Sequence, residues 1–185
     1  MPRFRSYSEM SNKMEAKGIL IAILLFSMPF VPTASAAEEP DSAVFSLRQV
    51  NDTLHVLELR SGSQVSEWRL PYPVYQFQTG DVDGDGKTDA LVGVVKTTRY
   101  DPEKARRLFI FKNFEGNVRV LWLGTRLGGI LRDFRFTDGL VRSLETTADN
   151  RYVVAEYQWE HFGMRFLRFL AKNVSHEEAL QIFNK

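Results

Sequence analysis

The chain contains no cysteine, which excludes disulfide staples, thiol nucleophiles, thiolate zinc sites and a lipidated N-terminal cysteine. Histidine is nearly as scarce. His55, His161 and His176 are scattered along the sequence, and none is spaced to share a metal on one helix face. An excess of one charge is also lacking, with 24 Lys+Arg against 23 Asp+Glu over 185 residues. Such a balance excludes the strong overall field of a dedicated nucleic-acid or anionic-membrane binder. No Gly-x-Ser-x-Gly elbow occurs, and Ser61-Gly62-Ser63 reads as a turn. Gly128-Gly129 lacks the strand-to-helix context of a phosphate-binding loop. What is present excludes wholesale disorder, since hydrophobic residues make up 44% and aromatics 12%. The length suits one domain with a sizeable core.

One long apolar run stands near the start. Lys13 and Lys17 precede an uncharged stretch over 18–28, Pro29 and Pro32 break it, and Ala34-Ser35-Ala36 supplies small residues for cleavage. This pattern predicts a secretory signal over 1–36. The competing reading, a transmembrane anchor, fails on length, because a span needs about 20 apolar residues. The leader runs long ahead of its apolar part, and Met14 would begin a more compact one. Removing 1–36 takes away Arg3, Arg5, Lys13, Lys17, Glu9 and Glu15, leaving 20 Lys+Arg against 21 Asp+Glu. The expected product is exported, periplasmic or secreted, with no membrane span after cleavage. Residues 37–43, small, charged and Pro-containing, are expected to form a flexible tether.

From residue 44 onward, short apolar or alternating runs recur between turn residues. They cover 44–50, 53–60, 65–70, 74–78, 90–96, 107–112, 118–123, 130–136, 140–146, 152–159 and 164–170. Strands at such spacing predict a single all-β domain over 44–185, with about ten to eleven short antiparallel strands. The runs group as three, four and four, so either propeller-blade-like units or a sandwich would suit them. The segments 90–95 and 108–111 are apolar throughout and suit central strands. Those at 118–123 and 131–136 mix charged and apolar residues, as a strand with one wet face does. Asp101-Pro102-Glu103 predicts a single helical turn. Ser175-His176-Glu177-Glu178 matches a capping box, with Ala179, Leu180, Ile182 and Phe183 as an apolar stripe, and predicts a short C-terminal helix.

The most specific segment is Gly80-Asp81-Val82-Asp83-Gly84-Asp85-Gly86-Lys87-Thr88-Asp89. Calcium takes six to eight oxygens, so carboxylates must converge from a tightly curved backbone. Asp81, Asp83 and Asp85 occupy positions one, three and five; Gly84 and Gly86 permit positive φ. Lys87 offers its main-chain carbonyl at position seven, and Asp89 closes the shell at position nine. Without a cation these carboxylates would repel one another. An EF-hand would require a bidentate Glu at position twelve, where Val92 stands, and helical flanks where strands are expected. Mg²⁺ suits the set less well than Ca²⁺, because it demands a stricter octahedron. The plain alternative is a solvated, metal-free turn, since Asp and Gly are common turn residues.

Together, Phe77, Gly80, Asp81, Asp83, Gly84, Asp85, Gly86, Asp89, Leu91, Val92 and Gly93 resemble the calcium-binding FG-GAP/VCBS repeat of integrin-type β-propellers, here over 80–93. The resemblance implies a loop joining the first two strands of a blade and holding structural calcium. Its ligands would be Asp81, Asp83, Asp85 and Asp89 with the Lys87 carbonyl. The match occurs once, and Thr137-Asp138-Gly139 is at most a remnant of a second copy.

Other residues carry weaker expectations. Glu156 and Glu160, with Glu58 or Asp133, could form a glycosidase pair, the basis of an alternative reading as an exported, glycan-active hydrolase. In the plainer reading Glu156 faces Arg168 across a hairpin as a charge pair. Tyr157, Trp159, Phe162, Phe166 and Phe169 crowd the same hairpin beside Arg165 and Arg168, as an anchor surface for a protein or glycan would; core aromatics with arginines on the reverse face would look similar. Self-association is a further option, because fewer than three four-strand units cannot close a propeller ring. The expected role is a binding or envelope-assembly module rather than an enzyme.

Overall fold

The computed structural model describes residues 43–99, 102–124 and 126–185. The expected leader over 1–36, residues 37–42 of the expected tether, and the expected helix cap Asp101 lie outside them. Among the described residues eleven strands precede one helix. The first three are β1 (Val44–Asn51), β2 (Leu54–Ser61) and β3 (Gln64–Leu70). Then come β4 (Val74–Gly80), β5 (Asp89–Lys96), β6 (Ala105–Phe114) and β7 (Asn117–Leu123). The last four are β8 (Ile130–Thr137), β9 (Leu140–Thr146), β10 (Tyr152–Glu160) and β11 (Gly163–Val174), followed by α1 (His176–Phe183). Each run expected from the sequence is a strand; 140–146 keeps its bounds, 53–60 shifts to Leu54–Ser61, and the others are longer at one or both ends. Residues 102–104 form a bend rather than the expected helical turn. Ala105 already pairs with Lys96, so the chain is drawn into the sheet before a helix could continue.

The strands form three antiparallel sheets, ordered β1-β2-β3, β4-β5-β6-β7 and β8-β9-β10-β11. Each is a simple meander, and short turns make that possible. Glu115-Gly116 and Asp138-Gly139 both sit at positive φ, +52° and +75° in the first turn and +52° and +74° in the second. Two residues of that kind match the right-handed twist of the strands they join. Asp138 therefore serves a hairpin turn rather than a second acidic loop.

Alternation along the middle sheet sets the layering. Ala90, Val92 and Val94 of β5, Phe109 and Phe111 of β6 and Val118 of β7 pack against Phe45, Leu57, Leu59 and Leu70 of the first sheet. On the opposite face Leu91, Leu108, Ile110 and Trp122 pack against Leu131, Phe134, Val141, Ala155 and Tyr157 of the third. The middle sheet is thus buried on both sides, which is why β5 and β6 read as continuous apolar runs. Each fully buried Leu, Ile or Phe contributes about 1.5–3 kcal/mol. The outer face of the third sheet is closed by α1, whose Ala179 and Phe183 meet Leu144 and Val154. Ser175 caps that helix, its side chain accepting from the Glu178 amide at 3.3 Å. No helix among the described residues is long and apolar enough to cross a membrane.

Candidate metal centre

The acidic loop joins β4 to β5, the first two strands of the middle sheet, and folds over the face that meets the third sheet. Val82 fixes this placement, since it is buried in the same cluster as Leu91 and Ile110. Gly80 lies beneath the Phe136 ring of β8, where a Cβ would overlap the ring. Phe136 is held there by its amide, which donates to Gln78 Oε1 at 2.6 Å. Val82 is buried there, and the neighbouring Asp81 and Asp83 are half-buried.

The loop curls on its own carboxylates. Asp81 accepts from the Gly84 amide at 2.8 Å and from the Gly86 amide at 3.0 Å. Asp85 accepts from the Lys87 amide at 2.9 Å, and Asp83 from the Asp85 amide at 3.3 Å. Such bonds require the backbone to reverse twice within a few residues, and Gly84 and Gly86 do so at φ +73° and +81°.

Asp81, Asp83 and Asp89 converge, one carboxylate oxygen of each lying within 4.8 Å of the others. Asp89, the first residue of β5, is 0% exposed. Its Oδ2 accepts from the Val82 amide at 3.0 Å, while its Oδ1 finds no hydrogen-bond partner among the described residues. Burial, joined by the negative charges of Asp83 and Asp85, pushes the Asp89 carboxyl up to about 7, against the Val82 and Asp83 amides, which favour its ionised form. A buried carboxylate oxygen without a donor is costly. A divalent cation at the convergence point would supply the missing partner, so these residues fit the ion that the sequence implies.

Asp85 does not join that group of three. Its Oδ2 lies 3.0 Å from Nζ of Lys112 on β6, and Asp83 Oδ2 lies 2.5 Å from the same ammonium. Burial opposes ionisation of Asp85, yet the bonds from Lys112 and the Lys87 amide hold its carboxyl below the ordinary value. Lys112 in turn is raised, first by its bond to Asp83. Nothing in the loop announces Lys112; it is brought there because β6 pairs with β5.

The other sequence candidates are dispersed. Glu156 is buried between Arg142 and Arg168, at 3.0 and 2.7 Å, and it pairs across the hairpin with Arg168 as the plainer reading expected. Glu160 lies 2.6 Å from Arg165, and Glu58 lies 2.7 Å from Arg48 on the first sheet. Each of these acids is matched by an arginine. His55 is buried against the Tyr72 carbonyl at 3.2 Å, and His176 stacks on Tyr152 with ring centroids 4.7 Å apart. The aromatics of the last hairpin divide: Phe162 is 94% exposed at its turn, while Tyr157, Met164, Phe166 and Phe169 line a hollow of about 780 Å³ with Trp122 and Leu127. Arg126 and Lys172 also line this hollow, while Arg165 and Arg168 lie along β11 of the same hairpin.

A buried polar group at that hollow escaped the sequence reading. Glu145 accepts from Ser143 at 2.5 Å, from the Tyr157 hydroxyl at 2.9 Å and from the Gly129 amide, while Gly128 donates to Tyr157 at 2.9 Å. The network pins the segment entering β8. A Cβ on Gly129 would lie 2.9 Å from both Glu145 and the Thr146 carbonyl, which explains the paired glycines. No family model, curated protein or solved structure matches the chain.

Proposed function

We propose that the chain is an exported β-domain in which one calcium ion pins the junction of β4 and β5, and that it acts as a binding or envelope-assembly module. The observation that supports this reading best is Asp89: fully buried, one oxygen without a donor among the described residues, and converging with Asp81 and Asp83. Asp81, Asp83 and Asp89 would hold the ion from their side chains, with Asp85 and the Lys87 carbonyl completing the shell. When bound, the ion would supply the positive charge that these oxygens coordinate, and its role would be structural.

The recognition surface in this proposal is the β10–β11 hairpin, where Phe162, Phe166 and Phe169 are exposed beside the aromatic hollow. Aromatic side chains with a nearby cation commonly anchor protein or glycan partners. The near-neutral charge supports a partner other than nucleic acid. The experiment is a thermal melt of chelator-treated protein with added calcium. Calcium a hundredfold above Kd is expected to stabilise by about 2.7 kcal/mol, roughly 8 °C for a chain of this size. Asp83→Ala is expected to abolish the rise; an unchanged melt in the parent chain would leave the loop a plain turn. Recovery of the chain from a periplasmic or culture fraction with a new N-terminus near residue 37 tests export, and retention of the full leader in the cytoplasm would contradict it.

A further inference from the structure

Lys112 enters the acidic loop from outside it. It stands two residues after Ile110 on β6, so alternation sends it to the same face as Ile110, the face over which the loop folds. Its ammonium touches Asp83 and Asp85 at 2.5 and 3.0 Å, and only 21% of its side chain is exposed. A tethered cation therefore already serves one end of the acidic cluster. It does not serve the other, where the buried Asp89 Oδ1 has no donor among the described residues. One positive charge placed at Asp83 and Asp85 offsets part of the negative charge and leaves the convergence point of Asp81, Asp83 and Asp89 short of a cation.

We infer that Lys112 is the resident counter-ion of the loop and that a divalent cation binds by exchange with it, taking Asp83 and Asp85 over as the ammonium swings to solvent. This rests on the calcium reading above and adds a residue that the loop pattern does not contain. Asp83 is the pivot, because it belongs both to the converging group and to the Lys112 pair. An ammonium and a divalent ion on the same carboxylate repel twice as strongly as two single charges at that distance. Sharing is therefore unfavourable and exchange relieves it. Lys112 in consequence keeps the metal-free loop folded and weakens calcium binding, since the ion must displace a bond already made.

Two variants and one measurement on the unaltered chain test this. Calcium titration calorimetry of chelator-treated protein compares the parent with Lys112→Met, which keeps the stem and drops the charge, and with Lys112→Arg, which keeps the charge. Lys112→Met is expected to bind calcium about tenfold more tightly and to melt lower in chelator, with Lys112→Arg close to the parent. On the parent chain, labelling of lysine amines read by mass spectrometry is expected to rise at Lys112 when calcium is added, and this needs no variant to fold. Equal or weaker calcium binding by Lys112→Met, or labelling at Lys112 that does not rise, would overturn the exchange while calcium binding by the parent leaves the metal reading standing. Binding by Lys112→Met alone would support Lys112 as resident cation and end the calcium reading for the native chain. Binding by neither would overturn both.

Discussion

Asp89 occupies a position where an unpaired acid is hard to tolerate, at the head of a strand buried on both faces. Asp89→Asn keeps the shape and an acceptor for the Val82 amide but removes the charge. In chelator the variant is expected to melt at or above the parent, and with calcium it is expected to lose the rise; a retained calcium response would show that Asp89 is no ligand. Glu156 behaves in the opposite sense. Burial opposes its ionisation, but bonds from Arg142 and Arg168 outweigh that and hold its carboxyl below the ordinary value. A depressed acid contributes stability above its unfolded value of 4.5 and loses it as pH falls through the folded value. Glu156→Gln is expected to destabilise by about 2 kcal/mol at pH 7, a figure discounted because Arg168 is largely exposed. The gap to the parent is expected to close in acid, and denaturant melts at pH 7 and pH 3 measure it. A gap that is the same at both would contradict the charge pair. The aspartates were legible in the sequence because their spacing is local. Lys112 was not, because it lies outside the loop and only strand pairing unites it with Asp83.

The strands were legible because each is bounded by turn residues and carries either alternation or a continuous apolar run. The continuous apolar run at 108–111 was expected to be a central strand, and β6 is an inner strand of the middle sheet; 118–123, expected to have one wet face, is its edge strand β7. That contrast predicts unequal sensitivity. Ile110→Ala, in a fully buried site of β6, is expected to lose about 2–5 kcal/mol. Val120→Ala, on the exposed side of edge strand β7, is expected to change stability by no more than about 0.5 kcal/mol. Urea melts of both variants check this, and similar losses would mean that the middle sheet is not buried on two faces. Asp101-Pro102-Glu103 misled because cap and proline favour a helix start locally, while the Lys96–Ala105 pairing draws the chain on into β6. Gly93 was visible as part of the loop pattern, but its packing reason was not. The Tyr75 ring lies over it, and an added Cβ would come within 2.6 Å.

For the molecule as a whole, the grouping of strands as three, four and four was readable from the sequence, and the sheets follow it. Their stacking was not readable, because alternation says which side chains share a face and not which sheet that face will meet. Stacking gives the acidic loop its importance. The segment that links β4 to β5 also carries Val82 and Gly80 into the contact with the third sheet, so loop order and sheet contact are one event. The central claim is that a divalent ion sits among Asp81, Asp83 and Asp89. Crystals grown in calcium and measured for anomalous scattering, with a terbium exchange as the stronger signal, test it most directly. One peak within coordination distance of all three carboxylates is the predicted result. Featureless anomalous density, with water at that point and the aspartate side chains turned outward, would contradict it.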